Sequence, residues 1–240
     1  MPTELTVMSF NIHHGEGTDD VLSLSRIAEV IKIADVIGLQ EVDRHYGERS
    51  DNADQAAELA ALLGYHVVFG ANIDDDPPAD GEPRMQYGTA ILSRHPILSW
   101  SNDRLTGSAE DEPRGLLRAT IDVDGTEFGF ANVHLAVESD AARRAQAEQI
   151  IGLIDHDRPS VLVGDFNAEP DAPELTSLIA ALSDTWSGDG DPSTYPSDQP
   201  MERIDLILST PAVRTVAARI VDSDPTASDH RPVLARIIIG

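Results

Sequence analysis

Asp165 and Asn167 stand in Gly164-Asp165-Phe166-Asn167, which follows the apolar run Val161-Leu162-Val163 and precedes Ala168-Glu169-Pro170. Side chains alternate along a strand, so a carboxylate and a carboxamide two residues apart face the same way and reach one point. Mounted on the rim of a layered fold, such a pair could hold and activate a water while the following loop leaves room for substrate. The same tetrapeptide could equally form an Asx turn or cap the next segment. Six further polar residues, Asn11, Glu41, His134, Asp205, Asp229 and His230, also interrupt or end apolar runs. Their contexts include Val133-His134-Leu135, Ile204-Asp205-Leu206-Ile207-Leu208 and Ser228-Asp229-His230. Each has a plain reading alone: Asp229 as a turn cap, His134 as a satisfied core histidine, Asp205 as the partner of Arg203. A carboxylate inside Ile-Asp-Leu-Ile-Leu nevertheless needs a buried partner, and a histidine is the natural one. Their joint occurrence at strand ends points to an assembled site.

The elements that must carry these residues read as strands interrupted by four helical stretches. Strands are expected at 6–10, 36–40 (delivering Glu41), 66–70, 88–93, 97–101, 116–123, 126–135, 160–166, 203–209, 214–221 and 233–239, about a dozen in all. Leu24, Ile27, Ala28, Ile31 and Ala34 recur at helical spacing, and further helices are expected at 53–63, 140–154 and 174–182. Asp124-Gly125 is a two-residue hairpin signal, so antiparallel pairing is present. Residues 72–86, with Asp74-Asp75-Asp76-Pro77-Pro78, read as a mobile, solvated acidic loop; the triplet lacks the spaced oxygens of a calcium loop. No linker, internal repeat or low-complexity segment divides the chain, and a single domain over 1–240 is expected.

Composition narrows the partners. Among 240 residues, 42 are acidic and 17 basic, for a formal net charge of −25, and Lys32 is the only lysine. Such a field repels polyphosphate backbones and anionic headgroups, and it suits a very salty cytoplasm where screening relieves self-repulsion. A halophilic source is the expectation. The absence of cysteine excludes disulfides, thiolate nucleophiles and cysteine-zinc sites. The first ten residues lack the basic and apolar pattern of a leader, and no segment approaches a membrane span, so a cytoplasmic location is expected.

Asn11, Leu39-Gln40-Glu41-Val42, Val133-His134-Leu135, Gly164-Asp165-Phe166-Asn167, Arg203-Ile204-Asp205 and Ser228-Asp229-His230, in this order, resemble the motif set of the endonuclease/exonuclease/phosphatase superfamily. The resemblance runs from residue 11 to residue 230. It implies a four-layered α/β sandwich of deoxyribonuclease I type: two mixed, mainly antiparallel sheets face to face with helices outside. It also implies metal-assisted in-line attack of water on a phosphate ester. That reaction needs a cation against the phosphoryl oxygens, an aligned water and donors for the transition state. Oxygen ligands without cysteine suit Mg²⁺ or Mn²⁺. On this reading Glu41 is the primary metal ligand, with Asn11 and Asp229 in or near the metal shell. Asp165 orients and deprotonates the water, and Asn167 holds that water or a phosphoryl oxygen. His230, oriented by Asp205, donates to the phosphate, and His134 is a second donor.

Departures from the pattern select a branch. Where apurinic endonucleases have an aspartate two positions after the first-strand asparagine, this chain has His13, and around His134 it lacks their tyrosine and proline-asparagine pair. The expected substrate is a small or lipid-headgroup phosphate ester; the alternative is a deoxyribonuclease I-like nuclease, for which Arg114 with Arg118 and Arg143-Arg144 are thin basic clusters. A contact of His13 or His14 with substrate stays open.

Overall fold

The computed structural model describes residues 2–107, 111–187 and 190–240; Met1, where the segment read for a leader begins, lies outside them. The chain runs β1 (Thr3–Asn11), α1 (Leu24–Ile31), β2 (Val36–Arg44), α2 (Gln55–Leu63), β3 (His66–Asp75), β4 (Met85–Ser93), β5 (Ile97–Arg104) and β6 (Gly115–Val123). It continues through β7 (Thr126–His134), α3 (Asp140–Leu153), β8 (Ser160–Asp165), α4 (Thr176–Ala181), β9 (Ser183–Asp184), β10 (Asp205–Ser209), β11 (Arg214–Ile220) and β12 (Val233–Ile239). One six-stranded sheet has the order β11-β12-β1-β2-β4-β3 and the other β5-β6-β7-β8-β10-β9. Each contains one parallel pair, β1 with β2 and β7 with β8. Parallel neighbours need a crossover, and α1 and α3 supply it. Their first turns are capped by Ser23 and Ser139, whose hydroxyls accept the N–H of Arg26 and of Ala142.

Alternation along the buried strands separates three cores. Val161 and Val163 of β8 join Phe128, Phe130 and Val7 between the sheets. Leu162 instead joins Ile150, Leu178 and Leu206 beneath α3 and α4. Met8 of β1 lies on the opposite side, with Ile27, Ile31 and Leu59 under α1 and α2. Three apolar clusters separate four layers, the deoxyribonuclease I-type sandwich.

Polar groups also join the sheets. Asn132 of β7 donates from Nδ2 to the carbonyls of Leu39 and Ala90 at 2.8 and 2.9 Å, and its Oδ1 accepts from Gln40 Nε2 at 2.6 Å. Gly38 allows this approach: a Cβ there would stand 2.3 Å from Val163 Cγ2 and 2.9 Å from Asn132 Cγ.

Several expectations shift. Residues 72–86 are not one loop, because β3 extends through Asp75 and β4 begins at Met85. β3 is an edge strand, where charged side chains are tolerated, and Arg84 Nε lies 2.7 Å from Asp74 Oδ1. β2 does not stop before Glu41 but continues to Arg44. β10 begins at Asp205, two residues later than expected, and α4 is shorter at both ends. The two-residue β9 carried no periodic signal. Asp124 and Gly125 have φ of +51° and +85°, the pair of left-handed residues that a two-residue hairpin prefers.

Candidate active site

Strand register assembles the polar cluster. In the second sheet, parallel β7 and β8 place His134 opposite Asp165, and antiparallel β8 and β10 place Asp205 opposite Asp165. In the first sheet, parallel β1 and β2 set Asn11 opposite Gln40, next to Glu41. Gln40 and Glu41 together face one residue of β4 between the Leu39–Ala90 and Val42–Gly88 pairs, which makes a bulge. Glu41 takes φ +57° there, and a bulge of this kind re-aims a side chain out of the sheet's alternation.

Asn11 connects the sheets at this end. Its Nδ2 donates to Glu41 Oε1 at 2.9 Å and to Asp165 Oδ2 at 3.1 Å, while its Oδ1 accepts the His13 N–H. Asp165 Oδ2 is a hub, with His134 Nε2 at 3.5 Å and His230 Nε2 at 3.7 Å. Asp165 Oδ1 accepts the N–H of Asn167, whose φ is +48°. Asn167 Nδ2 donates to the Leu135 carbonyl at 3.1 Å. On the far side of His230, Nδ1 lies 2.8 Å from Asp205 Oδ2. Asp205 therefore pairs with a histidine and not with Arg203, which reaches Asp184 instead. Asp229 is half-buried beside His230, and its Oδ1 lies 3.3 Å from Ser228 Oγ. The Tyr195 ring packs against the His230 ring at 4.8 Å between centroids.

Electrostatics divide the two histidines. Burial works against a cation on His230, but Asp205 and Asp165 outweigh it and raise its pKa to about 10. Burial, with Arg114 and His230 nearby, holds His134 well below the ordinary histidine value, so it is neutral beside Asp165. Burial likewise pushes the Asp165 carboxyl up to about 7, against the opposing pull of His230.

The donors suit a divalent cation. Two carboxylates, Glu41 and Asp165, converge on a single amide nitrogen, and one buried oxygen of Asp205 has no partner among the described residues. Among the described residues, two groups have ligand atoms within 4.8 Å of one another: Asp165 with Asp205 and His230, and Glu41 with His13 and His14. Asp229 belongs to neither group.

The sequence pointed to Arg114 only as part of a basic cluster with Arg118, and to neither Glu112 nor Tyr195. Arg114 is buried, Nη1 lies 2.6 Å from Glu112 Oε1, and Nε has no partner among the described residues. A cavity of about 210 Å³ lined by Glu112, Arg114, Ala136 and Val137 adjoins the His134 end of the cluster. Glu112-Pro113-Arg114 lies outside any apolar run, so it offered no periodic signal.

The layered sandwich thus carries a buried cluster of acid, amide and histidine groups on its strand ends. The endonuclease/exonuclease/phosphatase family model matches residues 8–230, and the chain belongs to that family of hydrolases, which act on phosphoester bonds and use divalent metals. An endonuclease/exonuclease/phosphatase structure from Beutenbergia cavernae is 31% identical, with a TM-score of 0.86 over 99% of this chain and 72% of that one. A mannosyl-6-phosphatase from Bacteroides thetaiotaomicron shares the fold at 21% identity and a TM-score of 0.74, covering 97% of this chain and 99% of that one. So does the catalytic domain of human Nocturnin with bound sulfate, at 18% and 0.71 over 98% and 94% of the two chains. No curated protein matches the chain. No helix among the described residues is long and apolar enough to cross a membrane.

Proposed function

We propose that this chain, acting as a single domain, hydrolyses a small phosphate ester, a phosphodiester or phosphomonoester, with Mg²⁺ or Mn²⁺ held by Glu41 and with Asn11 and Asp229 at or near the metal shell. The cation would supply charge neutralisation at the phosphoryl oxygens. Asp165, at the centre of the cluster, orients the attacking water and takes its proton as the water oxygen bonds to phosphorus and the ester P–O bond breaks, the alkoxide leaving with that electron pair and taking a proton from solvent. Asn167 has one N–H on the Leu135 carbonyl, which leaves Oδ1 to accept from that water. His230, cationic beside Asp205, donates from Nε2 to a phosphoryl oxygen and stabilises charge that grows in the transition state. His134, neutral beside Asp165, is a second donor to the same group.

The choice of a small substrate rests on where the arginines are spent. Arg118 holds Asp103, Arg143 lies buried on Glu174, and Arg114 is buried against Glu112. These are members of both basic clusters that could have followed a polynucleotide, and the chain carries a net charge of −25. Counterion displacement from successive phosphates needs cations that are free to meet them.

The test compares kcat/KM for an activated phosphodiester, a phosphomonoester and duplex DNA with Mg²⁺, at low and at molar KCl. Small esters are expected to lead at both salt concentrations, and chelation is expected to abolish turnover. Efficient cleavage of DNA or RNA at high salt, with small esters ignored, would replace this reading by a nuclease.

A further inference from the structure

We propose that His13 and His14 complete a three-donor cation site with Glu41, and that this imidazole-rich set makes the chain bind the later first-row ions Co²⁺ and Zn²⁺ more tightly than Mg²⁺. The inference rests on the reading of Glu41 as a metal ligand and adds two ligands to it. One ligand atom from each of the three residues lies within 4.8 Å of the others. Ligands about 2.1 Å from one ion stand about 3 to 4.3 Å apart, so small side-chain adjustments close the set.

Three observations converge on it. First, His13 Nδ1 lies 3.3 Å from the Glu16 carbonyl oxygen, which can only accept. That places the proton on Nδ1 and leaves the lone pair on Nε2, the arrangement by which an outer carbonyl orients a ligating histidine. Second, Glu16 Oε2 stands 3.6 Å from His14 Nε2, a carboxylate partner for the other ring. Third, all three donors sit on left-handed backbone: φ is +44° at His13, +43° at His14 and +57° at Glu41. Non-glycine residues are held there at a conformational cost and gather where a binding site over-determines them. The two rings meet edge-on at 4.5 Å, so the turn holds both on one side.

Arg49, the nearby cation, does not veto the site. Its guanidinium is committed to Asp43, at 2.9 and 2.7 Å, and lies over the Tyr46 ring at 4.8 Å. Magnesium rewards oxygen donors and retained waters, whereas imidazole rewards the later divalent ions.

The experiment measures metal binding to the chelator-stripped protein by calorimetry and, for Co²⁺, by visible absorption. His13→Asn and His14→Asn are the variants, because asparagine tolerates left-handed backbone. Native protein is expected to bind Co²⁺ and Zn²⁺ at least tenfold more tightly than Mg²⁺. Each variant is expected to lose about tenfold to a hundredfold in Co²⁺ and Zn²⁺ affinity while keeping its Mg²⁺ affinity within about threefold. Glu41→Gln is expected to weaken all three ions. Histidine ¹⁵N NMR of the unmodified protein with Zn²⁺ should shift the ring nitrogens of His13 and His14, a readout that needs no variant. Unchanged Co²⁺ affinity in both variants, or unmoved His13 and His14 resonances, would overturn the proposal. Mg²⁺ binding unaffected by Glu41→Gln would instead sink the parent metal assignment.

Discussion

Replacing Asp205 by asparagine should convert an enzyme indifferent to mild alkali into one that fails above neutrality. Asp205 is the strongest support for a cation on His230, whose pKa is raised to about 10 from an ordinary 6.5. That shift of about 3.5 units corresponds to roughly 5 kcal/mol of preference for the charged ring, net of a burial penalty that opposes it. Without the Asp205 charge, burial remains and only Asp165 and Asp229 oppose it, so His230 is expected to titrate near or below its ordinary value. At pH 8 the protonated fraction would then drop from about 99% to about 3%. Protonation alone lowers kcat about thirtyfold, and loss of the ring's orientation should bring the total to about two orders of magnitude. The assay is kcat for an activated phosphodiester at saturating Mg²⁺ from pH 6 to 9.5. Native enzyme should hold its rate on the alkaline side, whereas Asp205→Asn should fall from near pH 6.5 upward. Stability carries the same sign. A raised histidine pKa contributes stability that is fully present below pH 6.5 and is lost as pH rises through about 10. The melting temperature of chelated native protein should therefore decline across that window, and the variant should show a shallower decline. Coincident alkaline limbs for the two proteins would refute the reasoning.

Two further outcomes follow from the same charges. Asp165→Asn should lower kcat by about two orders of magnitude or more, because the carboxyl that takes the proton of the attacking water is gone; a variant with near-native turnover would contradict this. The folded state should gain stability as KCl rises toward molar concentration, since 42 acidic side chains repel one another until screened, and a flat melting temperature across that range would count against salt adaptation.

Much of this site was legible because chemistry and burial conflict along a single strand. Asp205 in Ile-Asp-Leu-Ile-Leu demanded a buried partner, and His230 supplies it at 2.8 Å. Asp165 and Asn167 did share one place, though by different means than alternation alone. Asn167 lies beyond the strand end at φ +48°; its backbone N–H binds the Asp165 carboxylate, while its side chain donates to the Leu135 carbonyl. Glu41 was expected just past a strand end but lies within β2, and the bulge that aims it was hidden, since Gln40-Glu41 looks like ordinary strand residues. The acidic run 74–76 misled for the opposite reason: composition reads as loop, while an unpaired sheet edge lets Asp74 and Asp75 stay in a strand.

What sequence could not supply was the pairing of distant segments. Alternation states which face a residue takes, and says nothing of which strand lies opposite. The register that sets both His134 and Asp205 against Asp165 comes from two neighbours of β8, one parallel and one antiparallel. The sheet-to-sheet distance is a separate constraint, set by Gly38 and by the Asn132–Gln40 bond. Gln40 ties the sheets together in the core, and its neighbour Glu41, turned out by the bulge, faces Asn11 and through it Asp165. The β2 bulge thus couples the packing of the two sheets to the approach of the two carboxylates. A single asparagine nitrogen between Glu41 and Asp165 is the cheapest way to keep them close before a cation arrives, because it offers a neutral donor to each while its Oδ1 fixes the first residue of the histidine turn.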